Sequence, residues 1–142
     1  MKKKTTTELL KILANENNIK NYIKDNTEEL ETKSLHEELE RLLEKYKLTK
    51  AEVIKTSNLQ SSYGYQIFNG TKEKPSRDKL LALCVAMKIN FDEIQKVLTL
   101  ANCGILYPRY IRDSIIINAV NKGIDLQKLN RLLCDMDMDI LE

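Results

Sequence analysis

Leu59-Gln60-Ser61-Ser62-Tyr63-Gly64-Tyr65-Gln66-Ile67-Phe68-Asn69-Gly70 is the stretch on which the reading of this 142-residue chain turns. Leu59 and Ile67 can anchor it to a core. Gln60, Ser61, Ser62, Tyr65 and Gln66 leave hydrogen-bonding groups outside. The spacing predicts a short helix from about Gln60 to Phe68, ended by Asn69-Gly70, a pair suited to the left-handed conformation that closes helices. Asn58 interrupts the chain just before it, after a short helix predicted over Lys50 to about Ser57. Thr71 to Pro75 is a polar, basic loop, and Ser76 is placed to cap a further helix carrying Leu80, Leu81, Leu83, Cys84 and Met87. A helix with one anchored face and one polar face meets the requirement for entering a major groove. An ordinary solvated helix face has the same composition.

Helix starts punctuate the flanks. Thr5 precedes Glu8, Ser34 precedes Glu37, Thr49 precedes Glu52 and Asn90 precedes Glu93, each with the spacing of a reciprocal capping box. Leu35, Leu39, Leu42, Leu43 and Tyr46 form an apolar helix stripe, and Phe91, Ile94, Val97 and Leu98 mark another helix. Two short helices are expected before about Lys33, and a polar connector runs from Asp25 to Lys33. After Leu100, Tyr107-Pro108-Arg109 breaks the chain. Ile111, Ile115, Ile116, Ala119 and Val120 then suit a helix stopped by Gly123, and Asp125 opens a last one with Leu126, Leu129, Leu132 and Leu133. The tail from Asp135 to Glu142 is expected to fray. With 4 glycines, 2 prolines and no strand pattern, the fold class is all-α.

Five helices between Ser34 and Thr99, two of them short and tightly joined, resemble the lambda-repressor-like (XRE/Cro-type) helix-turn-helix family. Residues 59–70 resemble its recognition helix and Asn-Gly exit, and Lys72-Glu73-Lys74-Pro75-Ser76 its basic loop and Pro-Ser helix start. The resemblance covers about half of the chain. It implies a five-helix DNA-binding domain over residues 34–99, flanked by helical extensions over 1–33 and 100–142. It also implies base contacts from Ser61, Ser62, Tyr65 and Gln66, and a backbone contact from Lys50, where the family usually has glutamine. Gln60, Asn69, Thr71, Lys72 and Lys74 complete the candidate DNA-binding set. The chain differs from the family at Ile54 (usually small), Asn58 (usually glycine), Gly64 (usually branched aliphatic) and Phe68 (often glutamate). Ile54 and Gly64 read as a matched exchange of large and small partners across two helices, which conserves core volume.

Net charge is +2, but Lys45 to Lys79 holds eight basic and three acidic residues, so positive charge gathers around the candidate helix. Cys84, Cys103 and Cys134 lack pairing logic and are expected to be small buried apolar residues in a reducing cytoplasm. His36 is the only histidine and is expected at the surface. No zinc ligand set, phosphate loop, nucleophile-base arrangement or membrane span is recognisable, so neither metal, cofactor nor enzymatic activity is expected. The leading reading is a sequence-specific transcriptional regulator of double-stranded DNA. The alternative is a non-enzymatic protein-interaction adaptor or antitoxin-like regulator on the same fold, gripping a protein partner through its terminal helices. Two-fold half-sites call for a homodimer. Ile115, Ile116, Val120, Ile124, Leu126, Leu129 and Leu133 are the first candidate surface, and Leu9, Leu10 and Leu13 the second. Either segment can instead complete the chain's own core. Arg109, Arg112 and Asp113, beside Tyr107 and Tyr110, suit a partner or DNA-backbone contact, or internal ion pairs tying the extension down.

Overall fold

Short polar side chains set most of the helix starts. The computed structural model describes residues 4–31 and 33–142, which fall into two compact units divided after residue 32 of the sequence. Among the described residues it is all-helical, without strands. In the first unit Thr5 caps α1 (Thr6–Asn15) and Asn18 caps α2 (Ile19–Asp25). A single 3-10 turn, Thr27–Glu29, occupies the predicted polar connector. Tyr22 and Asn26 are buried, while Leu10, Leu13, Ile19 and Ile23 are exposed.

The second unit holds α3 (Leu35–Tyr46), α4 (Lys50–Ser57), α5 (Ser61–Asn69), α6 (Arg77–Met87), α7 (Phe91–Leu100), α8 (Ile111–Asn121) and α9 (Leu126–Asp135). Ser34, Thr49, Ser76, Asn90 and Asp125 each accept a backbone N–H in the first turn that follows. Of the four predicted capping boxes, all four side-chain caps form, but the reciprocal carboxylate bond to the cap's own N–H is made by Glu93 at Asn90. Glu37 instead accepts from the Ser34 hydroxyl. Asn58 and Gly70 take the predicted left-handed conformation, at φ 60° and 85°.

α6 is the centre of the core. Leu80 through Val85 and Met87 are all buried. α4 and α7 pack on it, and α3 spans α5 and α7. Glu93 of α7 fastens this last contact, accepting from Lys45 Nζ at 2.6 Å and from the Tyr46 hydroxyl. Burial pushes the Glu93 carboxyl up, but the bonds from Lys45, Tyr46 and Asn90 outweigh it and hold the group below its ordinary value.

The C-terminal helices are a second copy of α6 and α7. At a constant offset of 35 positions, Arg77-Asp78 matches Arg112-Asp113, Ile89-Asn90 matches Ile124-Asp125, Gln95 matches Asn130, Leu98 matches Leu133, and Leu106 matches Leu141. Each copy ends in an extended strap held in the same way. Gln95 brackets Leu106 by its N–H and C=O, at 2.8 and 2.9 Å. Asn130 brackets Leu141 at 2.8 and 3.2 Å. Arg77 donates to Gly104 and Ile105 carbonyls, and Arg112 to those of Asp139 and Ile140. The arginines then exchange partners between copies. Arg77 binds Asp113 through two bonds, at 2.9 and 3.2 Å, and Arg112 binds Asp78 at 2.9 and 3.0 Å. α9 packs on α6 as α7 packs on α8. Such mutual exchange is the pattern of an isologous, two-fold contact, here within one chain.

Four expectations are corrected by this arrangement. The tail is not frayed: Leu141 is buried and its backbone is bracketed by Asn130. The C-terminal apolar surface is not spare: Ile116, Leu126, Leu129 and Leu133 are buried, and Ile115, Val120 and Ile124 pack against the core. Only Cys84 of the three cysteines is fully buried, which pushes its thiol up to about 12; Cys103 is half-buried and Cys134 exposed. His36 is half-buried beneath Gly70, where an added Cβ would stand 2.7 Å from its Nδ1. Position 70 therefore needs glycine for space as well as for its positive φ.

Candidate nucleic-acid interface

α5 separates its residues by face. Gly64, Ile67 and Phe68 are buried, while Ser61, Ser62, Tyr65, Gln66 and Asn69 are exposed. Positions i, i+1, i+4, i+5 and i+8 share one side of a helix. Gly64 is what allows α5 to lie close to α4. A Cβ there would sit 2.7 Å from Ile54 Cγ1 and 2.9 Å from Cγ2. The large-small exchange inferred from sequence is thus a direct contact.

α5 begins one residue later than expected, with Gln60 exposed at its N-cap and making no side-chain capping bond. α3, α4, α6 and α7 all have such a cap. The first-turn N–H groups of α5 are therefore open to an anion, which a helix N-terminus favours.

The loop after α5 is built by its own side chains. Asn69 Oδ1 accepts from Thr71 N–H at 2.9 Å, so this carbonyl is committed to the turn. Lys72 N–H donates to Gln66 O at 3.0 Å. Tyr63, absent from the sequence-derived set, organises the rest. Its hydroxyl accepts from Ser76 N–H at 2.9 Å, and Lys72 and Lys79 place their ammonium groups 5.1 and 5.4 Å from its ring centroid. These distances suit cation–π contacts. The ring holds two cations beside the exposed face of α5. Its only sequence signal was an aromatic residue on the helix leading into a basic loop.

The candidates do not all converge equally. Ser61, Ser62, Tyr65, Gln66, Thr71 and Lys74 are exposed around α5 and its exit, with Lys72 half-buried against Tyr63. Lys50 opens α4 and pairs with Glu40 at 2.5 Å. Both partners are well exposed, so exchange of Glu40 for a phosphate costs little. Two of the eight cations counted from the sequence serve inside the fold instead, Lys45 with Glu93 and Arg77 with Asp113.

Residues 38–98, from α3 through nearly all of α7, match the family model of the Cro/C1-type HTH DNA-binding domain. The chain carries a Cro/C1-type helix-turn-helix domain. No curated protein and no solved structure matches the chain. Within the Cro/C1-type domain, α4 and α5 are the helix-turn-helix pair, and Asn58 in its left-handed conformation is the turn. The second α-helical copy, α8 and α9, lies outside the matched residues. Among the described residues no helix is long and apolar enough to cross a membrane.

Proposed function

We propose that the chain is a sequence-specific transcriptional regulator that lays α5 in the major groove of double-stranded DNA and acts as a homodimer, with no catalytic step of its own. The observation that carries this reading is the exposed stripe of Ser61, Ser62, Tyr65 and Gln66, set opposite the buried Gly64, Ile67 and Phe68. Glutamine can bond adenine through two hydrogen bonds, and serine can bond either partner of a base pair. Selection of bound sequences from a random DNA pool tests it directly, and an unenriched pool counts against it.

Two further outcomes follow from the geometry. On the selected site, Gln66→Ala and Ser62→Ala each reduce discrimination against random DNA by about 1–3 kcal/mol. Tight binding retained by both would remove α5 from the groove. Lys72→Ala instead weakens all sequences alike and lowers the salt slope of binding by about one unit, because an ammonium held on Tyr63 meets phosphate rather than a base. A loss confined to one base pair contradicts that assignment.

A protein-interaction reading has one specific observation in its favour, the exposed Leu10, Leu13, Ile19 and Ile23 on α1 and α2. Salt titration separates the two, since DNA binding weakens steeply with salt as counterions are released.

A further inference from the structure

Ile105, Tyr107, Tyr110 and Ile111 are 49, 42, 64 and 65% exposed. Together they lay open on the order of 450 Å² of side chain, comparable with the largest patches monomers carry, which are often functional. The segment is held firmly. Arg77 binds the carbonyls of Gly104 and Ile105 at 2.8 and 3.1 Å, Asp113 accepts from Tyr107 N–H at 2.9 Å, and the Ser114 hydroxyl donates to Pro108 O at 2.7 Å. The two tyrosine rings meet edge to face, with centroids 5.2 Å apart. A patch fixed in one conformation loses little entropy on binding. Arg109 is exposed among these residues, and Asp113, the one carboxylate here, is buried and paired. Tyrosine and arginine are enriched at protein interfaces, and acidic residues are depleted there.

We propose that this patch is the two-fold interface between two copies of the chain. Set against itself, it buries at most about 900 Å² from four side chains on each copy, and the exposed Pro108 and Arg109 carry the total past the roughly 1,000 Å² that a specific contact needs. An apolar, tyrosine-bearing surface is complementary to its own kind in an isologous contact. A nucleic-acid backbone would leave both isoleucines against phosphate and water. The placement fits as well. Arg77, which holds the patch, opens α6, and Ser76 before it is bonded to Tyr63 of α5. The patch and the basic loop therefore share one end of the unit, and a dyad through the patch sets two α5 helices beside it. The interface deepens the homodimer reading given above, and its place beside α5 rests on the DNA-binding reading.

Sedimentation velocity of the full chain, from about 1 to about 100 μM, tests the interface, because self-association follows concentration. The informative variant is Tyr110→Asp/Ile111→Glu. Aspartate at position 110 supplies the cap that α8 lacks, and glutamate in the first turn is favoured by the helix dipole, so the fold is retained. Circular dichroism and melting temperature check this. The expected result is a parent dimer at tens of micromolar and a variant weakened about 100-fold in self-association. Leu10→Glu/Ile23→Glu, on the first unit, leaves the dimer intact. A parent monomeric throughout overturns the proposal. So does a variant at positions 110 and 111 that dimerises like the parent, loses only half-site DNA affinity, or is outdone by the variant on α1 and α2. A parent that dimerises through the patch but selects no DNA sequence would sink the DNA reading and leave the interface standing.

Discussion

Gly64→Val alone destabilises the protein by about 1–3 kcal/mol through overpacking, and Ile54→Ala alone by about 2–5 kcal/mol through a cavity. The double variant recovers most of either loss. The basis is geometric: a Cβ at position 64 meets Ile54 Cγ1 at 2.7 Å, and Ile54 is itself buried, so it cannot swing into solvent. Removing the isoleucine branches opens the volume that the valine fills. A double-mutant cycle by urea denaturation should give a coupling of about 3 kcal/mol. Additive losses would mean that α4 and α5 do not approach in this way. The same cycle bears on DNA recognition, because the α4–α5 contact sets the angle at which the stripe of Ser62 and Gln66 is presented.

The two exchanged ion pairs should fail unequally. Asp113 is 3% exposed. Arg77→Met strands this carboxylate in the interior, and breaking a buried pair from one side costs about 3–5 kcal/mol. Arg112→Met leaves Asp78, whose side chain is 35% exposed, able to take water, at a cost of about 1–2 kcal/mol for the lost bonds to it and to the tail. Urea midpoints measured in parallel give the comparison. Equal losses from Arg77 and Arg112 would deny the difference in burial its role. Since Arg77 also holds the patch at Ile105 and Tyr107, its removal is expected to loosen self-association, whereas Arg112→Met should not.

Much of this molecule is legible from local chemistry. Ser34, Thr49, Ser76, Asn90 and Asp125 announce helix starts because a short polar side chain satisfies a backbone donor within one turn. Asn58 and Gly70 announce stops because few residues accept a positive φ. The Ile54–Gly64 exchange could be inferred because volume must be conserved between neighbouring helices. What stayed hidden depends on partners far along the chain. Tyr63 receives a backbone bond from Ser76, thirteen residues on, which no periodicity reports. The second copy of α6 and α7 was masked by the different surroundings of the two. Leu83 and Met87 are buried in the core, but their counterparts Asn118 and Lys122 face water. The changed residues erase the similarity that Arg-Asp, Ile-Asn and Leu would otherwise display. The tail misled for a related reason. Asp135, Asp137 and Asp139 suggest solvent, yet its anchoring is done by Leu141 and by backbone groups, which the side-chain pattern does not disclose.

The straps carry a consequence for how the fold breathes. Leu106 and Leu141 lie outside any helix, and each has its amide hydrogen tied to a side chain eleven residues earlier, on α7 or α9. In hydrogen–deuterium exchange they are slow amides outside the helices, 35 residues apart, with Tyr107, whose N–H is held by Asp113, slow beside the first. Each opens with the helix that holds it rather than with its sequence neighbours. Because the arginine of each copy grips the aspartate of the other, release of one strap should be felt at its twin. Matched protection at the two sites would show the paired copies opening as one cooperative unit.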